Sequence, residues 1–223
     1  MNKVYALKLL SMLLLINIVF MNKLVSDDIH DNLLKKLDAS FPAEIFFIQT
    51  DSKNTIAKGW MVIGKKGLAR VEFEPPNHFI MVADGSWLVV HDAQYDRTSY
   101  LPLDKGILGA LLHPQKFNSI NKLSVSKSKN NINSYYSVVS ENFEGSEIKV
   151  YFDNSESTLK GWEIIENGKL SIKVDILKIR ELENMKGFDK NIFRFPEFMR
   201  ANLKGFLGPY KRKIKKLPKS KSN

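Results

Sequence analysis

The residue types that most often carry out catalysis or bind metals are sparse and scattered in this sequence. It contains no cysteine, and its four histidines, His30, His78, His91 and His113, lie far apart. Zinc and related ions usually bind where His, Cys or carboxylate ligands recur at short spacing, so the sequence predicts no metal site. The GxSxG, P-loop, GxGxxG and HExxH motifs are also missing, which removes the common nucleophile, phosphate-binding and protease signatures.

Two carboxylates remain as a candidate acid–base pair. Glu72 and Glu74 stand two residues apart and face the same side of a predicted strand, a spacing that general acid–base catalysis can use. Exposed positions on the polar face of that strand are the simpler explanation. We therefore predict no catalytic residue, no cofactor and no enzymatic activity.

The strand that carries these carboxylates indicates what the fold must enclose. Within GKKGLARVEFEPP, Ala69, Val71 and Phe73 alternate with the residues between them, and two prolines follow. Alternation with a period of two is typical of an extended strand with one apolar face, and a proline pair cannot continue a sheet ladder. The segment is therefore predicted to be one strand of an antiparallel sheet that faces an apolar space.

Similar runs fill most of the chain. Tight turns join six predicted strands at 43–50, 55–64, 68–74, 78–83, 86–92 and 97–103, which indicates an antiparallel meander. After a predicted polar loop at 124–134, further strands are predicted at 135–141, 146–153, 159–167 and 169–181, with a last short one at 191–196. The fold class is thus mainly β with short α-helices, with ten or eleven strands.

Two short apolar helices interrupt this pattern. The first is predicted at 27–37, where Ile29, Leu33, Leu34 and Leu37 recur at helical spacing, and the second at 103–114. A sheet of this size must curl, and if it does not close it leaves a concave apolar face. The two helices are the candidates to cover that face.

The first 26 residues form a separate segment. A basic start is followed by a predominantly apolar run of 13 residues from Leu9 to Met21, the length of a signal-peptide core rather than of a membrane span. We predict an export signal at 1–26, with an uncleaved anchor or a buried first helix as the alternatives. Export without cysteine favours the periplasm and excludes a lipid-modified cysteine on this chain.

The net charge of +10 is concentrated at the C-terminus. Residues 199–223 contain nine Lys and Arg and no acid, and 1–26 contain three Lys, which leaves −2 for the predicted domain at 27–198. The basic tail is open to several interpretations: contact with an anionic membrane surface, a solvated disordered end, or nucleic-acid binding. Export makes the last of these a poor match, and no nucleic-acid partner is predicted.

Six segments carry a resemblance to a known family. In order, they are FFIQT, GWMVI beginning at Gly59, KKGLARVEFEPP, ADGSWLVVHD, PLDKGILGALL and FDKNIFRFP. Their order and spacing resemble the LolA family of periplasmic lipoprotein carriers over about two thirds of the chain. The resemblance implies an unclosed, curved antiparallel half-barrel with a helical lid over an apolar cavity.

The resemblance also implies a function. Members of the LolA family shield the acyl chains of lipoproteins and carry them from an inner-membrane ABC transporter of the LolCDE type to the outer membrane, usually through a LolB-like acceptor. By this resemblance the chain is expected to act in the periplasm as a monomer. The alternative is a membrane-tethered envelope module that uses the same half-barrel to bind lipid or a partner, and an enzyme acting on lipid or murein has almost no residue support.

Site residues follow from the same resemblance. Its cavity positions are Leu37, Ala69, Val71, Phe73 and Met81, and its lid positions are Leu33, Leu34, Ile107, Leu108, Leu111 and Leu112. Lys65 stands where the family has the arginine that controls lid closure, and Arg70 is the second arginine of the family pattern. Because Lys lacks the planar fork of Arg, a bidentate clamp is not available at position 65.

Overall fold

Apolar and polar side chains that alternate along short runs give one eleven-stranded antiparallel sheet. The computed structural model describes residues 29–105, 107–113, 123–129, 133–140, 146–155, 157–183 and 190–195. The predicted export segment 1–26 and basic tail 199–223 lie outside the described residues. The strands are β1 (Ala43–Asp51), β2 (Ile56–Ile63), β3 (Leu68–Phe73), β4 (Phe79–Asp84), β5 (Trp87–Asp92), β6 (Arg97–Pro102), β7 (Leu123–Lys129), β8 (Asn133–Ser140), β9 (Glu147–Asp153), β10 (Leu159–Glu166) and β11 (Lys169–Glu181).

The strand order leaves the sheet open. Neighbours run β6-β5-β4-β3-β2-β1-β11-β10-β9-β8-β7, so that β1 and β11 pair at the centre and β6 and β7 form the two edges. Each described pair is antiparallel, as tight turns between consecutive strands require. The predicted fold class, an unclosed curved antiparallel half-barrel of ten or eleven strands, is confirmed.

Two short helices lie on the concave side of this sheet. Helix α1 is described over 29–40, and it ends just before Pro42, which cannot continue a helix. Helix α2 spans Ile107–Leu112 and follows a 3-10 turn at Leu103–Lys105. Both lie where the apolar periodicity predicts helices.

Two sequence predictions about local structure are wrong. The segment 124–134, predicted as a polar loop, contributes most of edge strand β7 and the start of β8. Serine and lysine suit an edge strand, because one side of it pairs and the other faces water. The segment 191–196, predicted as a strand, instead contains a 3-10 turn at Lys190–Phe193. This turn lies across the convex face, beside β3 and β4, and pairs with no strand edge.

The apolar core divides between the two faces of the sheet. The larger cluster lies on the concave face and joins both helices to strands from both halves of the sheet. On the convex face, Ile192 and Phe193 pack with Trp60, Val62 and Leu182. The turn at Lys190–Phe193 therefore covers the back of the sheet, as the helices cover the front.

This cover on the convex face corrects the interpretation of the β3 carboxylate. Glu72 was predicted to be exposed, but it is buried together with Arg70, whose Nε donates to Glu72 Oε1 at 2.8 Å. Both side chains lie under the layer formed by the C-terminal segment. This face of β3 is therefore buried, although its residues are polar. Their mutual pairing compensates for lost hydration.

A second buried carboxylate links the central strands. Glu44 Oε1 accepts a hydrogen bond of 2.7 Å from Trp60 Nε1. Its Oε2 accepts from Arg180 Nε at 2.9 Å and from Nη2 at 2.5 Å. Through these contacts Glu44 on β1 fixes β2 on one side and β11 on the other.

We expect the Glu44→Ala variant to lose about 2–3 kcal/mol of unfolding free energy, because the hydrogen bonds from Arg180 and from the buried Trp60 indole N–H to the Glu44 carboxylate are lost. Urea denaturation measures the loss. Asp175→Ala is the matched control, since it breaks the exposed ion pair with Lys173 and should cost less than about 1 kcal/mol. Equal losses in the two variants would contradict the structural role of Glu44.

Candidate functional site

An apolar cavity of about 110 Å³ lies between the concave face of the sheet and α2. One wall comes from β1 to β5, the opposite wall from β10 and β11, and the cover from α2. Its lining residues are Phe47, Gln49, Met61, Ile63, Ala69, Val71, Phe73, Met81, Ala83, Leu88, Leu111, Leu112, Trp162, Ile164, Ile172 and Val174.

Strand register arranges the lining side chains in rows. Met61 pairs with Val71, and Val71 pairs with Met81, which gives one row across three strands. On the opposite wall Trp162 pairs with Val174, which pairs with Gln49. Because alternate residues of a strand share a face, each row continues the same apolar surface.

A glycine in β2 makes room for the largest aromatic contact of the wall. The rings of Phe47 and Phe73 meet edge to face, with centroids 5.5 Å apart. A Cβ atom at Gly59 would lie 2.4 Å from the Phe47 ring and 2.8 Å from the Glu72 carbonyl oxygen. The glycine therefore leaves space over β2 for the Phe47 ring, which lines the cavity wall.

Helix α2 closes one side of the cavity with Leu111 and Leu112, both buried. The Gly67 N–H donates to the Leu112 carbonyl at 2.9 Å, which ties the end of this helix to the β2–β3 turn. Ile107 and Leu108, the other predicted lid residues of this segment, belong to the same helix, and their side chains lie outside the described set.

Helix α1 covers the other part of the concave face. Asn32 Oδ1 accepts a hydrogen bond from the Tyr136 hydroxyl at 2.5 Å, and Lys36 Nζ lies 5.3 Å from the centre of the Phe152 ring. Burial lowers the pKa of Lys36, and the charge of Lys127 adds to this effect. Leu33 and Leu37 are fully buried beneath the helix.

The structure distributes the predicted site residues over three places. Ala69, Val71, Phe73 and Met81 line the cavity, whereas Leu37 lies with Leu33 in the packed core beside it and Leu34 packs against that core. Arg70 lies on the convex face with Glu72.

Lys65 lies where the two helices meet. Its Nζ is 3.1 Å from Asp38 Oδ2 near the end of α1, and both side chains are about half exposed. A gap of about 10 Å³ separates the end of α1, the β2–β3 turn and the end of α2. One exposed ion pair and one backbone hydrogen bond thus connect the turn to both helices.

Sequence reasoning missed the wall formed by β10 and β11. This wall is lined by Trp162, Ile164, Ile172 and Val174. The sequence correctly predicted the two strands, and the alternation of these residues along them was the available signal. Gln49 was noted as part of a motif and was not assigned to the cavity. Among the described lining residues, only Gln49 and the indole of Trp162 carry a polar side-chain group.

The described residues contain no group of three His, Asp or Glu side chains placed to hold a metal ion. Among the helices within the described ranges, none has the length and apolar character that crossing a bilayer requires.

An open antiparallel half-barrel around an apolar cavity, covered by short helices, defines a class of protein built to bind apolar ligands. The family model described as "Outer membrane lipoprotein carrier protein LolA" matches residues 40–196. The chain belongs to the LolA family, whose members are non-catalytic binding proteins and are generally periplasmic.

Solved structures with similar folds are distant in sequence. They include a LolA superfamily protein from Nitrosomonas europaea, with 10% identity, 73% of this chain and 96% of that chain covered, and a TM-score of 0.41. A DUF1329 family protein from Desulfovibrio piger has 7% identity, covers 76% of this chain and 97% of its own, and gives a TM-score of 0.46. A chain of the MucA/MucB complex from Pseudomonas aeruginosa has 11% identity, covers 69% of this chain and 56% of its own, and gives a TM-score of 0.43. No curated protein sequence matches, so the family assignment rests on the family model alone.

We expect Gly59→Ala to lower the unfolding free energy by about 1–3 kcal/mol and to weaken binding of an apolar fluorescent probe, because the added methyl pushes Phe47 into the cavity. Fluorescence titration and urea denaturation measure the two effects. Gly168→Ala is the matched control: its φ of 72° strains an alanine, but no atom beyond its two chain neighbours lies within 4 Å of the new methyl. It should lose stability and keep probe binding. Unchanged probe binding in Gly59→Ala would argue against this view of the wall.

Proposed function

We propose that this protein is a periplasmic carrier that shields the acyl chains of lipoproteins and transfers them from the inner to the outer membrane without catalysis. The observation that carries the proposal is the apolar cavity beneath α2 in a member of the LolA family. Ala69, Val71, Phe73 and Met81 form its acyl-contacting wall, together with the residues of β10 and β11.

The size of the cavity supports a lid that moves. An apolar cavity of about 150 Å³ takes up one benzene molecule, so a space of about 110 Å³ is far too small for long acyl chains. Long acyl chains therefore fit only if the cover of the cavity withdraws. Loading requires the leucines of α2, and with them α1, to withdraw from the concave face.

Exchange of contacts makes both loading and release possible. Each acyl methylene removed from water contributes about 0.8 kcal/mol, which for several long chains is a very large gross gain. Displacing Leu111 and Leu112, and then Leu33 and Leu37, exposes apolar surface and offsets part of that gain. A carrier built in this way binds tightly enough to shield its cargo and still releases it to an acceptor.

Gln49 supplies a polar group at the wall. Its amide lies among apolar neighbours, where a hydrogen bond to an ester or amide carbonyl of the cargo compensates for lost water. Such a contact favours acyl chains attached to a headgroup over plain hydrocarbon. Acylated lipoproteins carry carbonyls of this kind at the base of each chain.

The proposed partners are the inner-membrane LolCDE-type ABC transporter as donor and a LolB-like protein, or the outer membrane itself, as acceptor. The predicted export signal at 1–26 supports a periplasmic site of action.

A membrane-tethered lipid-binding or interaction module is the second candidate, favoured by the predominantly apolar run from Leu9 to Met21 if it remains uncleaved. The N-terminus of the purified protein, read by mass spectrometry, separates the two. A soluble form that starts near Asp27 supports the carrier.

We expect Met81→Glu to reduce affinity for a triacylated lipopeptide at least about tenfold, because a carboxylate on the wall must be desolvated or neutralised before an acyl chain can lie there. Native mass spectrometry and fluorescence titration report the bound lipopeptide. Ile56→Glu, at a position 65% exposed on β2, is the control and should bind as the parent does. Equal affinity of both variants would sink the assignment of this cavity to acyl chains.

We expect Lys65→Asp and Asp38→Lys each to accelerate lipopeptide exchange by up to about fivefold, because an exposed ion pair is worth about 1 kcal/mol or less. The double variant restores the pair with its charges reversed and should return to the parental rate. Stopped-flow fluorescence measures the exchange. A double variant that is as fast as the single variants would show that this pair does not hold the helices closed.

A further inference from the structure

The edge of the sheet nearest the cavity exposes several large apolar side chains. Trp87, Tyr100 and Leu101 are 46%, 56% and 52% exposed, and Tyr95 in the β5–β6 turn is more exposed still. We call these four residues the apolar rim. Trp87 shares the convex face with Tyr100, whereas Leu101 is on the concave face, so the rim presents apolar groups on both sides of edge strand β6.

Strand register connects the rim with the cavity. Leu101 pairs with Leu88, which lines the cavity, and Leu88 pairs with Ala83, which also lines it. Residues paired directly across strands have neighbouring side chains on the same face. An apolar surface therefore runs without interruption from the cavity wall to the exposed edge of the sheet.

The described end of the C-terminal segment lies at the same edge. Phe195 lies on the convex face, with its ring centroid 6.1 Å from that of Tyr100 and 5.7 Å from that of His91. Residues 199–223 follow with nine Lys and Arg and no acid. Only four residues of sequence separate Phe195 from Arg200, the first of these charges.

We propose that the apolar rim docks on the surface of an anionic phospholipid bilayer. Tyr and Trp prefer the membrane interface, where the ring is in an apolar layer and its polar group stays hydrated. Basic residues near an anionic surface add attraction of about 1 kcal/mol each. The basic tail therefore draws the protein to the bilayer, and the rim contacts it.

Docking in this orientation gives acyl chains a route that avoids water. A chain that leaves the bilayer crosses Leu101 and Leu88 before it reaches the cavity. This use of the rim rests on the proposed carrier function, whereas membrane docking itself does not.

Features of β6 favour a membrane over a protein strand as the partner of this edge. Pro102 at its end has no N–H to donate to a new strand, and Arg97 places a charge at its start. Proline and charged residues are the usual means by which edge strands avoid pairing with other chains. The exposed aromatic rings do not need strand pairing to bind a lipid surface.

Tryptophan fluorescence can test the proposal on the purified protein. Trp60 and Trp162 are only 1% and 6% exposed, so the fluorescence of Trp87 is the signal that lipid contact changes. Mixed phosphatidylethanolamine and phosphatidylglycerol vesicles with brominated chains should quench it. A Trp87→Phe variant should lose most of the quenching, which assigns the signal.

Two variants and a control separate the contributions. Tyr100→Ser/Leu101→Ser keeps the Trp87 probe and should lower vesicle partitioning at least about tenfold. A variant with Glu at Lys211, Lys213, Lys215 and Lys216 should also partition into vesicles at least about tenfold less. Raising NaCl to about 0.5 M should lower the vesicle partitioning of the parent protein by a similar factor. Ile56→Ser/Leu177→Ser removes two exposed apolar residues elsewhere, 65% and 60% exposed, and should partition within about twofold of the parent.

The outcomes distinguish this proposal from the carrier function. If the Tyr100→Ser/Leu101→Ser variant partitions less but binds soluble lipopeptide normally, the rim is a docking surface outside the cavity. If Trp87 is not quenched, or if this variant and the Ile56→Ser/Leu177→Ser control partition equally, the docking proposal is wrong. Cross-linking of the rim to an envelope protein without vesicle quenching would likewise overturn it and identify a protein-binding edge. None of these results depends on whether Met81→Glu loses lipopeptide.

Discussion

The two edge strands of the sheet, β6 and β7, stand at opposite ends of the strand order, and much of the molecule follows from this opening. A closed barrel would pair its first and last strands and enclose its interior within the hydrogen-bonded ladder itself. Here the concave apolar face needs a cover that the sheet itself cannot provide, and two short helices supply it. Because this cover is not part of the hydrogen-bonded ladder, it can move away without breaking a strand pair.

The two faces of the sheet are held by different interactions. On the convex face Glu44 fixes three neighbouring strands through Trp60 and Arg180, and the turn at Lys190–Phe193 seals the back. On the concave face apolar contacts dominate, and an exposed pair between Lys65 and Asp38 joins turn to helix. Directional buried bonds keep the sheet rigid, while non-directional contacts can be exchanged for those of a ligand. This asymmetry suits a protein that must open on one side and keep its shape.

Much of the fold was predictable because its main signal is local. The alternation in LARVEFE fixed both the strand and the face that carries Ala69, Val71 and Phe73, and helical spacing located both helices. Edge strand β7 was missed because its serines and lysines resemble a loop when the pairing partner is unknown. The segment 191–196 was misassigned because apolar alternation over a few residues does not distinguish a strand from a 3-10 turn packed on a sheet.

By itself, the sequence determined the class of fold, the wall of β3 and β4 and the likeness to the LolA family, since these depend on periodicity and on motifs read in order. Only the tertiary structure decided which faces are buried. It placed Glu72 and Arg70 beneath the C-terminal segment, Leu37 in the core beside the cavity, and Trp162 on the cavity wall formed by β10 and β11. Burial depends on residues distant in the chain, because the side of a strand that meets water is set by what folds over it.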